Sequence, residues 1–206
     1  MKIKLCGFKE ESSLKAAIKA DIDFIGFVFH DSSPRNVTFD QAKHLCNIVP
    51  DNINKVSVTV DASIDKLQEI HNALKPQYFQ LHGNETLSDI ETIKEIFPAV
   101  KIIKAFSICT KQDLEQVKPY ESHVTHILLD NKNPGSGQSF DWNLLDDFKT
   151  KSNWILSGGL NLTNIVDAIH RTDAKIVDIS SGIEVLKGDK SPELIEQITT
   201  IINNIK

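Results

Sequence analysis

Short apolar runs rich in β-branched residues alternate along the whole chain with longer segments whose apolar residues recur every three or four positions. The runs predict strands at "KIKLC" (2–6), "DFIGFVF" (23–29), "KVSVTV" (55–60), "QYFQLH" (77–82), "VKIIKA" (100–105), "THILLD" (125–130), "WILSG" (154–158) and "KIVDIS" (175–180). Segments of helical period lie between them, among them Leu14–Ala20, Phe39–Val49, Ile64–Leu74 and Leu87–Phe97. A last one, Pro192–Ile205, follows Ser191 as a predicted N-cap, with Pro192 at the first helical position. Strands separated by helices pair in parallel, because a parallel crossover needs a dozen or more residues. Eight such units are the count for a (β/α)8 TIM barrel. In a doubly wound open sheet the first strand normally feeds a G-x-G-x-x-G turn, and "LCGFKE" does not match it.

At 206 residues the chain is near the lower limit for that fold, which predicts a single barrel domain over 1–206 with little room for extra domains. No linker or low-complexity tract divides it. A formal net charge of −5 gives no global electrostatic reason to bind nucleic acid or an anionic membrane. Lys9, Glu10 and Glu11 interrupt any signal-peptide core, and no stretch approaches the roughly 20 apolar residues of a membrane span. Cys6, Cys46 and Cys109 form no CxxC pattern, so neither a disulfide framework nor a zinc site is expected. A reducing cytoplasm is the expected setting, with Cys46 and Cys109 read as packing.

In a small barrel the chemistry belongs at the strand C-termini, and there the apolar runs give way to "LCG", "FVFHDSSPR", "QLHG", "LLDNKNPGSGQ", "LSGGL" and "ISSGIE". Cys6 closes the first run immediately before a glycine. Glycine-rich turns after the last two strands match the usual phosphate cradle of such barrels, in which backbone N–H groups and a short helix N-terminus meet the anion. Gly158, Gly159, Ser180, Ser181 and Gly182 are the expected phosphate-binding residues, and the substrate class is a phosphorylated small molecule. "NPGSGQSFDW" has G-S-G without a following Lys-Ser/Thr, so it is no P-loop. Gly135 and Gly137 are instead expected to form a loop over the substrate.

The blocks "KLCG", "GFVFHDSSPRNV", "QLHGNE", "ILLDNKNPGSGQSFDW", "LSGGLNLTNI" and "VDISSGIE" cover nearly the whole chain. In order and spacing the chain resembles the phosphoribosylanthranilate isomerases of tryptophan biosynthesis. The resemblance implies a cofactor-free Amadori rearrangement of N-(5′-phosphoribosyl)anthranilate to 1-(2-carboxyphenylamino)-1-deoxyribulose 5-phosphate. It implies Cys6 as general base and Asp130 as general acid, assigns Arg35 to the anthranilate carboxylate, and puts His82 near the substrate. Two departures stand out. The family often has Lys at the position of Gln138, and more often reads "VGVFVN" where this chain has "VSVTVDAS".

The chemistry sets demands on both groups. An acid must hold a proton at neutral pH, so partial burial or the substrate is expected to raise Asp130 above the usual aspartate value near 3.9. A thiol near 8.5 is only slightly ionised at pH 7, so the site is expected to lower Cys6. Strand alternation puts Lys4 on the same side as Cys6, and Asp178 on the neighbouring eighth strand is its expected partner. No second His or carboxylate shares an i, i+4 spacing with His82 in a metal-ligand pattern such as H-E-x-x-H, so no metal is expected. Other phosphosugar barrels are rival readings: a synthase would need a catalytic Lys and Glu at strand ends, and an epimerase typically a metal with His ligands. A non-catalytic phosphosugar-binding barrel is the rival from another class. The sequence leaves oligomeric state open.

Overall fold

Residues 1–131 and 139–205 are described by the computed structural model. Eight parallel strands, β1 (Lys2–Cys6), β2 (Phe24–Phe29), β3 (Asn54–Thr59), β4 (Tyr78–Leu81), β5 (Lys101–Ile108), β6 (His126–Asn131), β7 (Asn153–Leu156) and β8 (Ile176–Ile179), close in sequence order into a barrel. The helices are α1 (Glu11–Lys19), α2 (Phe39–Cys46), α3 (Ile64–Leu74), α4 (Leu87–Ile96), α5 (Lys111–Glu115), α6 (Ile165–Thr172) and α7 (Pro192–Asn203). Ser191 caps α7 as expected, its Oγ accepting from Leu194 N–H at 3.2 Å. The crossover from β6 to β7 differs from the regular plan. Among its described residues the only helical piece is a 3-10 turn at Trp142–Leu145, which Asp141 caps by accepting from Asn143 N–H.

The period-two alternation of the strands sorts their side chains into two cores. Outward residues such as Leu5, Ile25, Phe79, Ile127 and Val177 pack under the helices. Inward residues, among them Phe24, Val56, Tyr78, Ile103, Leu128, Ile155 and Ile176, fill the barrel. The inward polar residues Lys4, Gln80, His126, Asp130 and Asp178 are all buried. The polar side chains that line a cavity gather at the C-terminal end of the barrel, which places the chemistry at that mouth.

Beyond β8 the chain departs from the predicted plan. The turn at Ser180–Glu184 leads into a two-stranded antiparallel hairpin, β9 (Glu184–Leu186) and β10 (Asp189–Lys190), before α7. Gly188 makes its turn at φ +89°, and a side chain there would put Cβ 2.6 Å from the Pro34 carbonyl oxygen. The hairpin is therefore fastened to the loop after β2.

Candidate active site

At the C-terminal mouth a cavity of about 430 Å³ is lined by Cys6, Arg35, His82, Asp130, Ser157, Asp178 and Ser180, with Val28, Val58 and Gln80 among the others. Four of the residues singled out from sequence for proton transfer and substrate contact, Cys6, Arg35, His82 and Asp130, thus share one space. Cys6 is the last residue of β1 and Asp130 the penultimate residue of β6, three strands round the ring. Both face inward and both are buried.

Beneath the sulfur lies an ion pair. Lys4 and Asp178 are register partners on β1 and β8, and Lys4 Nζ stands 2.9 Å from Asp178 Oδ1 with the lysine fully buried. This is the pair expected from strand alternation. Burial alone would pull the Lys4 amine down, but Asp178, with help from Cys6, carries it above the ordinary lysine value. The expected effect on Cys6 is overturned in direction. Burial raises the thiol above its ordinary value, and the opposing pull of Lys4, Lys190 and Arg35 does not cancel it, while Asp178 adds to the rise.

Arg35 is buried at the cavity wall and already holds a carboxylate. Its Nε donates to Glu184 Oε1 at 2.7 Å and its Nη2 to Glu184 Oε2 at 2.9 Å, a two-pronged clasp between the loop after β2 and β9. Lys190 closes the cluster: Nζ donates to Glu184 Oε1 at 2.6 Å, to the Ser180 carbonyl at 2.9 Å and to Ser180 Oγ at 3.2 Å. Burial drives Lys190 down to about 8 despite Glu184. Burial would raise Glu184, yet Arg35 and Lys190 hold it below the usual carboxylate value. The trio keeps a net positive charge while Lys190 is protonated.

His82 follows β4 and leans on the other candidate group. Its Nε2 is 3.4 Å from Asp130 Oδ2, and its Nδ1 is 3.0 Å from the Gln80 side-chain nitrogen. The loop carrying it is tied from below. Glu85 accepts from the N–H groups of Asp61 (3.0 Å) and Gly83 (3.0 Å), Lys104 pairs with Glu85 at 3.2 Å, and its Nζ donates to the Gly83 carbonyl at 2.8 Å. Asp61, within the departing stretch "VSVTVDAS", accepts from Asn84 N–H at 2.6 Å. That departure braces the His82 loop.

The loops after β7 and β8 meet in a parallel bridge between Asn161 and Gly182. A Cβ on Gly182 would fall 1.9 Å from the Leu160 carbonyl oxygen, so no larger residue fits. Gly158 (φ +89°) and Gly159 (φ +62°) turn the β7 loop tightly against Asn131 and Asp130. Of the expected phosphate residues, Ser180 lines the cavity, while Gly158, Gly159, Ser181 and Gly182 are not among its lining residues. The short helix expected to face the anion is replaced by the Ser180–Glu184 turn and the hairpin. Gly135, Gly137 and Gln138 lie outside the described residues.

Sequence reasoning missed Gln80, Ser157, Glu184, Lys187 and Lys190, all at or around the mouth. The Lys-Gly-Asp step in "EVLKGDK", with glycine at the turn, was the available signal for the hairpin. Cys46 is buried at the end of α2, where burial pushes its thiol up to about 12. Cys109 is exposed beyond β5, so its reading as a packing residue is corrected. Among the described residues no three His, Cys, Asp or Glu side chains are grouped to hold a metal ion.

The family model described as N-(5'phosphoribosyl)anthranilate (PRA) isomerase matches residues 3–200. The chain belongs to that isomerase family. A PRA isomerase relative, the N-(5'-phosphoribosyl)anthranilate isomerase of Zymomonas mobilis subsp. mobilis, is 41% identical over 202 residues, spanning 96% of this chain and 95% of the relative. The solved phosphoribosyl anthranilate isomerase of Thermotoga maritima superposes with a TM-score of 0.87 at 29% identity, with all of both chains covered. A further solved phosphoribosyl anthranilate isomerase, in complex with reduced 1-(o-carboxyphenylamino)-1-deoxyribulose 5-phosphate, gives 0.86 at 27% identity, again over all of both chains. Like these PRA isomerases, the chain is a barrel of eight parallel strands.

Proposed function

We propose that this phosphoribosylanthranilate isomerase carries out its Amadori rearrangement with Asp130 as general acid and Cys6 as general base. Asp130 gives its proton to the ribose ring oxygen, the C1′–O bond breaks, and the aryl nitrogen lone pair completes a protonated Schiff base. The positive charge next to C2′ acidifies its proton. Cys6 thiolate takes that proton, leaving an enolamine that tautomerises to the ketone. The reaction consumes no redox equivalent: in the tautomerisation C1′ gains a proton and the C2′ hydroxyl loses one, which returns Cys6 to thiolate and Asp130 to its acid form.

A raised thiol is compatible with this role. Burial that disfavours the thiolate makes it a stronger base once formed, and the Schiff-base cation supplies the charge that favours it when it is needed. Lys4, Lys190 and Arg35 already act in that direction.

The observation that carries the reading is the convergence of Cys6 and Asp130, from β1 and β6, on one cavity large enough for a drug-sized ligand. Arg35 serves the anthranilate carboxylate through the N–H groups that Glu184 leaves over, and His82 orients the acid. Gly158, Gly159, Ser180, Ser181 and Gly182 form the phosphate end, supported by the tight joining of their two loops. Among the described residues no helix is long and apolar enough to cross a membrane. With all three cysteines free, a reducing cytoplasm suits the enzyme.

Loss of phosphoribosylanthranilate fluorescence tests the assignment. Cys6→Ser and Asp130→Asn should each lower turnover about 100-fold or more with the fold intact. Wild-type turnover in either variant removes that residue from the proton path.

A further inference from the structure

The substrate read above carries two anions, a phosphate and an aromatic carboxylate, and the mouth offers few cations to receive them. Among the described lining residues the lysine and arginine side chains are Arg35 and Lys187. Arg35 has two of its donor groups engaged by Glu184. Lys187 is exposed, and its ammonium has no ion pair or hydrogen bond with any described residue.

Its backbone, by contrast, is fixed on both sides. Upstream, Glu184 is clasped by Arg35 and Lys190. Downstream, Gly188 turns at φ +89° against the Pro34 carbonyl, and Lys9 Nζ donates to that same carbonyl at 3.0 Å. A pinned hairpin thus places Lys187, with no described partner for its charge, in the cavity wall that also includes Ser32, Ser33, Pro34 and Arg35. The proposed phosphate end lies elsewhere, where the loops after β7 and β8 join at Asn161 and Gly182.

We infer that Lys187 is a specificity-determining residue that pairs with the aryl carboxylate of the substrate from the hairpin side, complementing Arg35. The inference rests on the isomerase reading and adds to it a residue that selects an acidic aromatic amine over a neutral one. A lysine suits the place: a point charge on a flexible stem can follow a carboxylate without the fixed fork geometry that Arg35 has already given to Glu184. The contact sits at a solvated rim, so its effect on affinity is moderate and sensitive to salt.

Calorimetric titration with two probes tests it. One is reduced 1-(o-carboxyphenylamino)-1-deoxyribulose 5-phosphate; the other is its counterpart built on aniline, which keeps the phosphate and lacks the carboxylate. Lys187→Met should weaken the first about tenfold at low salt and leave the second unchanged, and Lys187→Glu should widen the gap. Equal weakening of both probes assigns the ammonium to the phosphate and overturns the inference, as does no change in either. If the wild-type protein turns over phosphoribosylanthranilate while the variants bind both probes normally, only the role of Lys187 falls. If the wild type neither binds the first probe nor turns over substrate, the isomerase reading falls and takes this inference with it.

Discussion

Gly26 lies directly against the sulfur of Cys6: a Cβ added to this β2 residue would stand 2.5 Å from Sγ and 3.2 Å from the Cys6 Cα. The two are register partners on adjacent strands, so the inward-facing thiol has room only because its neighbour has no side chain. Gly26→Ala should therefore displace the sulfur or the strand, lowering stability by about 1–3 kcal/mol. Turnover should fall at least tenfold. The discriminating measurement is urea unfolding of Gly26→Ala with and without Cys6→Ala: removing the sulfur should recover most of the lost stability. Equal destabilisation in both backgrounds would show that the glycine matters for some other reason.

The buried Lys4–Asp178 pair has two separable consequences. Removing the amine alone leaves a carboxylate uncompensated inside the barrel, so Lys4→Met should cost about 3–5 kcal/mol. Lys4→Met combined with Asp178→Leu should recover much of it. The second consequence concerns pH. A base works in its ionised form, and Cys6 is raised by burial, so kcat/KM should climb with pH through neutrality toward the thiol's elevated value. Lys4 opposes that elevation, so Lys4→Met should move the rising limb to still higher pH. A limb that stays put, in a variant shown to be folded, would remove Lys4 from the tuning of the base.

Gln80, His82 and Asp130 form a short chain, with 3.0 Å between the first two and 3.4 Å between the last two. When the Gln80 amide donates to Nδ1, the ring proton belongs on Nε2, which stands 3.4 Å from Asp130 Oδ2 without a hydrogen bond between them. Holding the acid in place is worth much more than the weak contact itself, because small misplacements of reacting groups cost large factors in rate. His82→Leu should lower kcat about tenfold with little change in circular dichroism, and Gln80→Leu should lower it less. A kcat unaffected by His82→Leu would leave the imidazole as a wall of the cavity and no more.

How much of this was readable without coordinates follows from the range of each interaction. Strand number and the inward parity of Lys4, Cys6 and Asp178 are local facts, written in a period of two residues, closure was expected from the count of eight units, and the structure has all of these as expected. Arg35 was legible as a functional cation, but its clasp on Glu184 spans 149 positions and leaves no local trace. The sign of the Cys6 shift depended on how completely the sulfur is desolvated, a property of packing from all sides. Gly26 looked like an ordinary strand residue because its constraint comes from across the ladder. The hairpin was legible in principle, through the turn glycine Gly188 after the apolar pair Val185-Leu186, and was overlooked because the barrel plan calls for a helix there.

At the closed end of the barrel, His126 introduces a pH dependence of stability unrelated to the mouth. Its ring is buried among Phe24 and Tyr78, at centroid distances of 5.9 and 5.6 Å, and its Nδ1 has no hydrogen-bond partner among the described residues. Burial, with smaller contributions from Lys2 and Lys101, lowers its pKa from 6.5 to about 4. The unfolded chain therefore takes up a proton below about 6.5 that the fold refuses until about 4. The stabilisation is complete above pH 6.5 and is lost progressively as pH falls through that window. The loss should amount to about 3 kcal/mol by pH 4. His126→Phe keeps an aromatic ring and removes the titration. Urea unfolding at pH 7, 6, 5 and 4 should show the wild type losing stability more steeply than this variant, and parallel curves would mean that His126 accepts its proton in the folded barrel as easily as in the unfolded chain.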